Sequence, residues 1–181
     1  MAQLSDLVRV PLCIEQVLSL SGQYEKIARA NQKNQNLLCL GRGLQYPIAL
    51  EGALKLKEIS HVHAEGFPSG EIRHGADTLI DANLPVIALA ARDTGNPASM
   101  LRYEEMRKDM EYVRARDGNL IVLATEGDTR VSQYSTQIIY LPELSDPLIP
   151  LLLTIPLQLL AYHIAVQKDL DVDQPRSTAR P

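Results

Sequence analysis

Three apolar runs punctuate the chain from residue 85 onward: Pro85-Val86-Ile87-Ala88-Leu89-Ala90, Leu120-Ile121-Val122-Leu123-Ala124 and Gln137-Ile138-Ile139-Tyr140-Leu141. An earlier one, Leu37-Leu38-Cys39-Leu40, ends in Gly41-Arg42-Gly43. Each is short and bounded by polar or turn residues, so each predicts a strand buried on both faces. His61-Val62-His63-Ala64 is a shorter candidate, which would point His61 and His63 to one face. Between these runs lie stretches of helical length, Gln45 to Ser60 and Ala98 to Ala115. Near the N-terminus, Ile14, Val17 and Leu18, then Tyr24, Ile27 and Ala28, recur at three-to-four spacing, with Ser19-Leu20-Ser21-Gly22 as a break between two helices. Buried strands alternating with helices predict an α/β fold: a three-layer αβα sandwich around a five-stranded parallel sheet. In doubly wound sheets of this kind, ligands sit beyond the carboxyl ends of the strands, at the switch point.

From Pro147 to Gln167 there is no Asp, Glu, Lys or Arg. Pro150, Pro156, Gln158 and His163 interrupt this stretch, which predicts a buried core helix rather than a membrane span, with His163 in the core. Glu143 and Asp146 suit a helix N-terminus and Pro150 its first turn, while Pro156 should kink the helix or delay its start. Residues 1–168 read as one domain and residues 169–181 as a polar, extended tail.

Composition narrows the function classes. The chain is 45% hydrophobic and 22% charged, a globular profile. It has no Trp and one Phe, which disfavours an aromatic platform for single-stranded nucleic acid. A net charge of −4 without a long basic run argues against tracking a phosphate backbone. Cys13 and Cys39 lack CxxC spacing, and Met1 to Asp6 resembles no signal peptide, so a reduced, cytoplasmic protein is expected.

Glu51, Lys55 and Glu58 stand at i, i+4 and i+7, one stripe on an otherwise apolar helix. The stripe is either that helix's wet face, held by an ordinary ion pair, or the lining of a cavity. In a cavity, Lys55 would keep one carboxylate ionised while desolvation raised the pKa of the other, as a proton shuttle requires. His74, in Gly70-Glu71-Ile72-Arg73-His74-Gly75, is either a surface histidine or a general acid/base. Gly41-Arg42-Gly43 is a weak phosphate signal, since Tyr46 breaks the GxGxxG pattern, and Arg42 is the candidate anion ligand. No HExxH, Cys cluster or GxSxG elbow appears, so neither metal nor cofactor is expected.

The run from Gly41-Arg42-Gly43-Leu44-Gln45-Tyr46-Pro47 through Glu51-Gly52-Ala53-Leu54-Lys55-Leu56-Lys57-Glu58 resembles the sugar-isomerase (SIS) domains that close the glucosamine-6-phosphate synthases, the glutamine–fructose-6-phosphate aminotransferases. So do His63-Ala64-Glu65-Gly66, the His74 segment, Ile155-Pro156-Leu157-Gln158-Leu159-Leu160-Ala161 and Asp171-Val172-Asp173-Gln174-Pro175-Arg176. The resemblance implies the flavodoxin-like SIS fold and a hexose 6-phosphate substrate. It implies that Glu58 moves a proton between C1 and C2 of the open-chain sugar, with Lys55 and Glu51 lining the same site. His74 would assist ring opening in a neighbouring subunit, which implies a homodimer. Ala179 and Arg180 fall at substrate-binding positions of the tail, but Arg180 stands where the family has an imine-forming lysine, and a guanidinium forms no imine. A glutaminase domain and a first SIS domain, present in the family, would be separate partners. Two other readings are a non-catalytic binding or dimerisation module, and a stand-alone isomerase whose phosphate site uses Arg42.

Overall fold

The computed structural model describes residues 2–135 and 137–173. Two helices, α1 (Ala2–Leu18) and α2 (Ser21–Asn31), precede β1 (Asn36–Gly41), α3 (Tyr46–Ser60) and β2 (His63–Pro68). Then follow β3 (Pro85–Ala90), α4 (Pro97–Arg114), β4 (Asn119–Thr125), β5 (Gln137–Leu141) and α5 (Ile149–Gln167). All strand pairs are parallel, in the order β2-β1-β3-β4-β5. This is the expected doubly wound α/β sheet, with its switch point between β1 and β3.

The period-two alternation of each strand feeds two separate cores. Leu37 and Cys39 of β1 join Ile87, Ile121 and Ile139 under α1, α2, α3 and α5. Leu38 and Leu40 join Val86, Val122 and Ile138 on the other face, under α4. Among the described residues that second face carries one helix, which packs over β3 and β4, and short 3-10 turns at Ser69–Glu71, Ala76–Leu79 and Thr129–Gln133. Helix α4 starts where Asn96 accepts the N–H groups of Ala98 and Ser99, with Pro97 in its first turn. At the amino ends of the strands, a closed ring of amides ties α2 to β4 and β5: Asn31 donates to Gln137 (2.8 Å), Gln137 to Asn119 (2.8 Å) and Asn119 to Asn31 (3.1 Å).

Three expectations are corrected. Strand β2 begins at His63, because His61 closes α3 in the left-handed region (φ 51°) while Val62 N–H returns to Leu56 C=O (3.1 Å). His61 and His63 therefore share no strand face. Pro156 lies inside α5, which already starts at Ile149. Its missing hydrogen bond costs about 3 kcal/mol, outweighed by burial of Leu152, Leu153, Leu157, Leu160 and Ile164 at roughly 1.5–3 kcal/mol each. His163 is half-buried and sets its ring edge-on to Tyr162 rather than entering the core. The segment Asp146–Gln167 is long and apolar enough to cross a membrane, yet half of that window is buried against the other helices.

Close backbone approach fixes α3 on the sheet. A Cβ on Gly41 would meet the Gln45 carbonyl oxygen at 2.4 Å, and one on Gly66 would meet the Leu50 Cα at 2.8 Å. Gly41→Ala and Gly66→Ala are each expected to lower unfolding free energy by about 1–3 kcal/mol in urea titrations. Gly22→Ala, with no heavy atom within 4 Å of the added methyl, should leave stability unchanged or slightly raised.

Candidate functional site

Helix α3 descends from the carboxyl edge of the sheet at Tyr46 to the amino edge at Ser60. Ala49, Ala53, Leu56 and Ser60 form its buried face, and Leu157 of α5 packs on its flank. This anchoring leaves Glu51, Lys55 and Glu58 together on one outer stripe. Lys55 Nζ donates to Glu58 Oε2 at 2.8 Å and lies 3.7 Å from Glu51 Oε1. The hydrogen bond that Lys55 donates to Glu58, aided by the charge of Glu51, holds the Lys55 ammonium above the usual lysine range.

Side-chain exposures of 36% for Glu51, 26% for Lys55 and 38% for Glu58 place the stripe on an open face rather than in an enclosed cavity. Such a pair contributes about 1 kcal/mol or less to stability. Leu50 and Leu54, both exposed, run beside it. Chemically, the stripe holds two carboxylates that share one ammonium, a set able to accept and return a proton once water is excluded.

His74 does not join this group. Its segment belongs to the layer of Ile72 and Ala76, across the sheet from α3. The imidazole is 72% exposed, and its Nε2 lies 3.9 Å from Glu71. Arg42 is committed elsewhere: its Nη1 donates to Asp109 (3.1 Å) and to buried Ser69 (3.2 Å), and its other arm lies 3.8 Å from Glu105. It thereby ties the Gly41–Gly43 turn to α4 and to the segment that carries His74. Burial raises the Asp109 carboxyl above its ordinary pKa despite Arg42 and Arg73. Ala179 and Arg180 lie outside the described residues.

The switch-point crevice, where a ligand is expected, is filled from within. Arg42, Gln45, Arg102, Tyr103 and the end of β3 leave about 10 Å³ there. Arg102 lies against Gly43 and binds Asp146 with one guanidinium nitrogen. Asp146 thus serves this long-range pair, and Glu143 accepts from Thr94, so the acidic flank of α5 does more than face a helix dipole. Lys168 escaped the sequence reading altogether. Its Nζ donates to Ser60 C=O (3.2 Å), locking the end of α5 to the end of α3, and burial lowers its pKa. No local signal marks a contact spanning 108 residues. Among the described residues, no group of three or more His, Cys, Asp or Glu side chains is placed to hold a metal.

Comparison with known proteins agrees with this architecture. The SIS domain model matches residues 31–168. The chain is 46% identical over 174 residues to a glutamine–fructose-6-phosphate aminotransferase (isomerizing) of Aquifex aeolicus, covering 96% of this chain and 28% of that protein. A Bacteroides thetaiotaomicron protein of the same name is 44% identical over 175 residues, 97% of this chain and 27% of its own length. The C-terminal domain of glucosamine-fructose-6-phosphate aminotransferase from Francisella tularensis superposes with a TM-score of 0.82 at 36% identity, over 94% of this chain and 46% of that one. The chain thus spans less than a third of the length of these two aminotransferases.

Glu58→Gln should lower the Lys55 pKa toward its ordinary value in an NMR titration of the side-chain Nζ. An unchanged Lys55 titration contradicts the pairing.

Proposed function

The chain belongs to the SIS domain family, and from that premise we propose that it is the isomerase-bearing C-terminal SIS unit of a glutamine–fructose-6-phosphate aminotransferase, acting on an open-chain hexose 6-phosphate. The observation that carries this reading is the Glu51–Lys55–Glu58 stripe, in which one ammonium is shared by two carboxylates on a rigidly seated helix. Converting a ketose to an aldose takes a proton from C1 and returns one to C2, with no net loss. In this proposal the Glu58 carboxylate removes a C1 proton, and the electron pair forms the C1–C2 double bond and pushes the carbonyl electrons onto O2. The proton of the C1 hydroxyl passes to O2, and as the C1 carbonyl forms the same carboxyl returns its proton to C2. Lys55, as an ammonium, keeps the Glu58 carboxylate ionised before the transfer and aimed along the stripe, and return of the proton to C2 restores that carboxylate. Glu51 holds Lys55 charged and in place.

Two features support a site that is completed by other polypeptide. The stripe is open to water and flanked by exposed Leu50 and Leu54, so a covering surface would both bury these leucines and dry the carboxylates. His74 lies in the opposite layer of its own chain, which fits a histidine that serves a second copy in a homodimer. A first SIS unit and a glutaminase unit would complete the assembly, and a reducing cytoplasmic setting suits the two buried free thiols.

The test uses a chimera in which this chain replaces the matching segment of the Aquifex aeolicus relative. Glu58→Gln and His74→Ala chimeras, each alone, should lose isomerisation of fructose 6-phosphate by about 100-fold or more. Co-expressed, they should recover about a quarter of the unsubstituted rate, because half of the dimers would be mixed and each would keep one intact site. No recovery on mixing would contradict the shared site.

A further inference from the structure

We propose that a cleft at the amino ends of β1 and β2, on the face opposite α3, is a binding site for a small polyhydroxylated amine of the amino-sugar class. The cleft holds about 510 Å³, within the range of small-molecule sites. It exists because α4 packs chiefly over β3 and β4, and 3-10 turns rather than a helix flank the β1–β2 edge. The proposal does not depend on the reading of the α3 stripe, which lies in the other layer.

Strand register sets the chemistry of its wall. Asn36 pairs with His63 and Leu38 with Glu65, so all four side chains face the same side of the sheet. The opposite wall comes from the loop before β3, with Asp81, Asn83 and the exposed Leu79. His63 N–H donates to Gln35 C=O at 2.8 Å, which fixes the rim between the two strands. The Asn36 side chain makes no hydrogen bond among the described residues, and neither does that of Gln35. These free amides present both donors and acceptors, the complement of sugar hydroxyls. Exposed Leu79 supplies an apolar surface for the C–H face of a ring, with the buried Leu38 and Leu84 behind it.

Charge selects among hydroxylated ligands. Two carboxylates, Glu65 and Asp81, line the cleft against one ammonium, Lys33. The N–H groups of Asn83 and Leu84 hold Asp81 below the usual carboxyl range, so it stays ionised at neutral pH. Among the described residues, the ionic neighbour of Glu65 is His63, at 3.8 Å. An amine is therefore favoured beside Glu65, and a phosphate ester is repelled.

The side-chain amide resonances of Asn36 and Asn83 report occupancy directly. Titration with glucosamine should shift both saturably, with glucose and glucosamine 6-phosphate binding more weakly. Glu65→Gln, at an exposed position where folding is unaffected, should weaken glucosamine binding by roughly tenfold or more, with backbone resonances elsewhere unchanged. The proposal is overturned if millimolar glucosamine leaves these amides unmoved, if its shifts fall only on α3, if Glu65→Gln binds equally well, or if the phosphate ester binds as tightly as the amine.

Discussion

The seating of α3 on the sheet is the constraint on which the rest of the molecule depends. With no side chain at Gly66, the backbone at Leu50 approaches β2, and Gly41 lets the chain turn sharply from β1 into the helix. Ala49, Ala53 and Leu56 then fill the inner core, and Lys168 bonds the last turn of α3 to the end of α5. A helix held at its start, middle and end has no freedom to rotate. Its charged stripe is consequently presented at a fixed angle, and the proposed transfer from C1 to C2 requires such a fixed base.

The same doubly wound sheet has two unlike faces. The inner face, under four helices, carries the stripe on its outermost surface. The outer face has one helix and three short turns, which leaves the β1–β2 edge open and places the His74 segment across the sheet from α3. The crevice that usually takes a ligand in this topology is occupied by the molecule's own arginines, with Arg102 bound to Asp146 and Arg42 to Asp109. The helix and edge surfaces are the ones that a second unit could cover.

Much of this was legible in the sequence. The buried runs of β1, β3, β4 and β5 were evident because strands covered on both faces are apolar throughout. Strand β2 was blurred because it is an edge strand with His63 and Glu65 facing solvent, and because His61 adopts a left-handed helix cap that no periodicity marks. The stripe was visible at its i, i+4, i+7 spacing, but spacing could not tell a wet face from a cavity; the fold places it on an open face. Arg42 read as an anion ligand because its glycine neighbours suggested a phosphate turn. Its partners, Ser69 and Asp109, lie 27 and 67 residues away, beyond the reach of any local pattern.

The most direct test of the account is solvent proton exchange. Fructose 6-phosphate would be incubated in D₂O with the chimera that carries this chain, and deuterium at C1 followed by NMR. The account predicts deuterium entry at C1 and its loss in Glu58→Gln, while the variant's thermal unfolding stays close to that of the unsubstituted protein. Deuterium entry at the same rate in Glu58→Gln would contradict it, because the proton would then be moved by some group other than the α3 stripe.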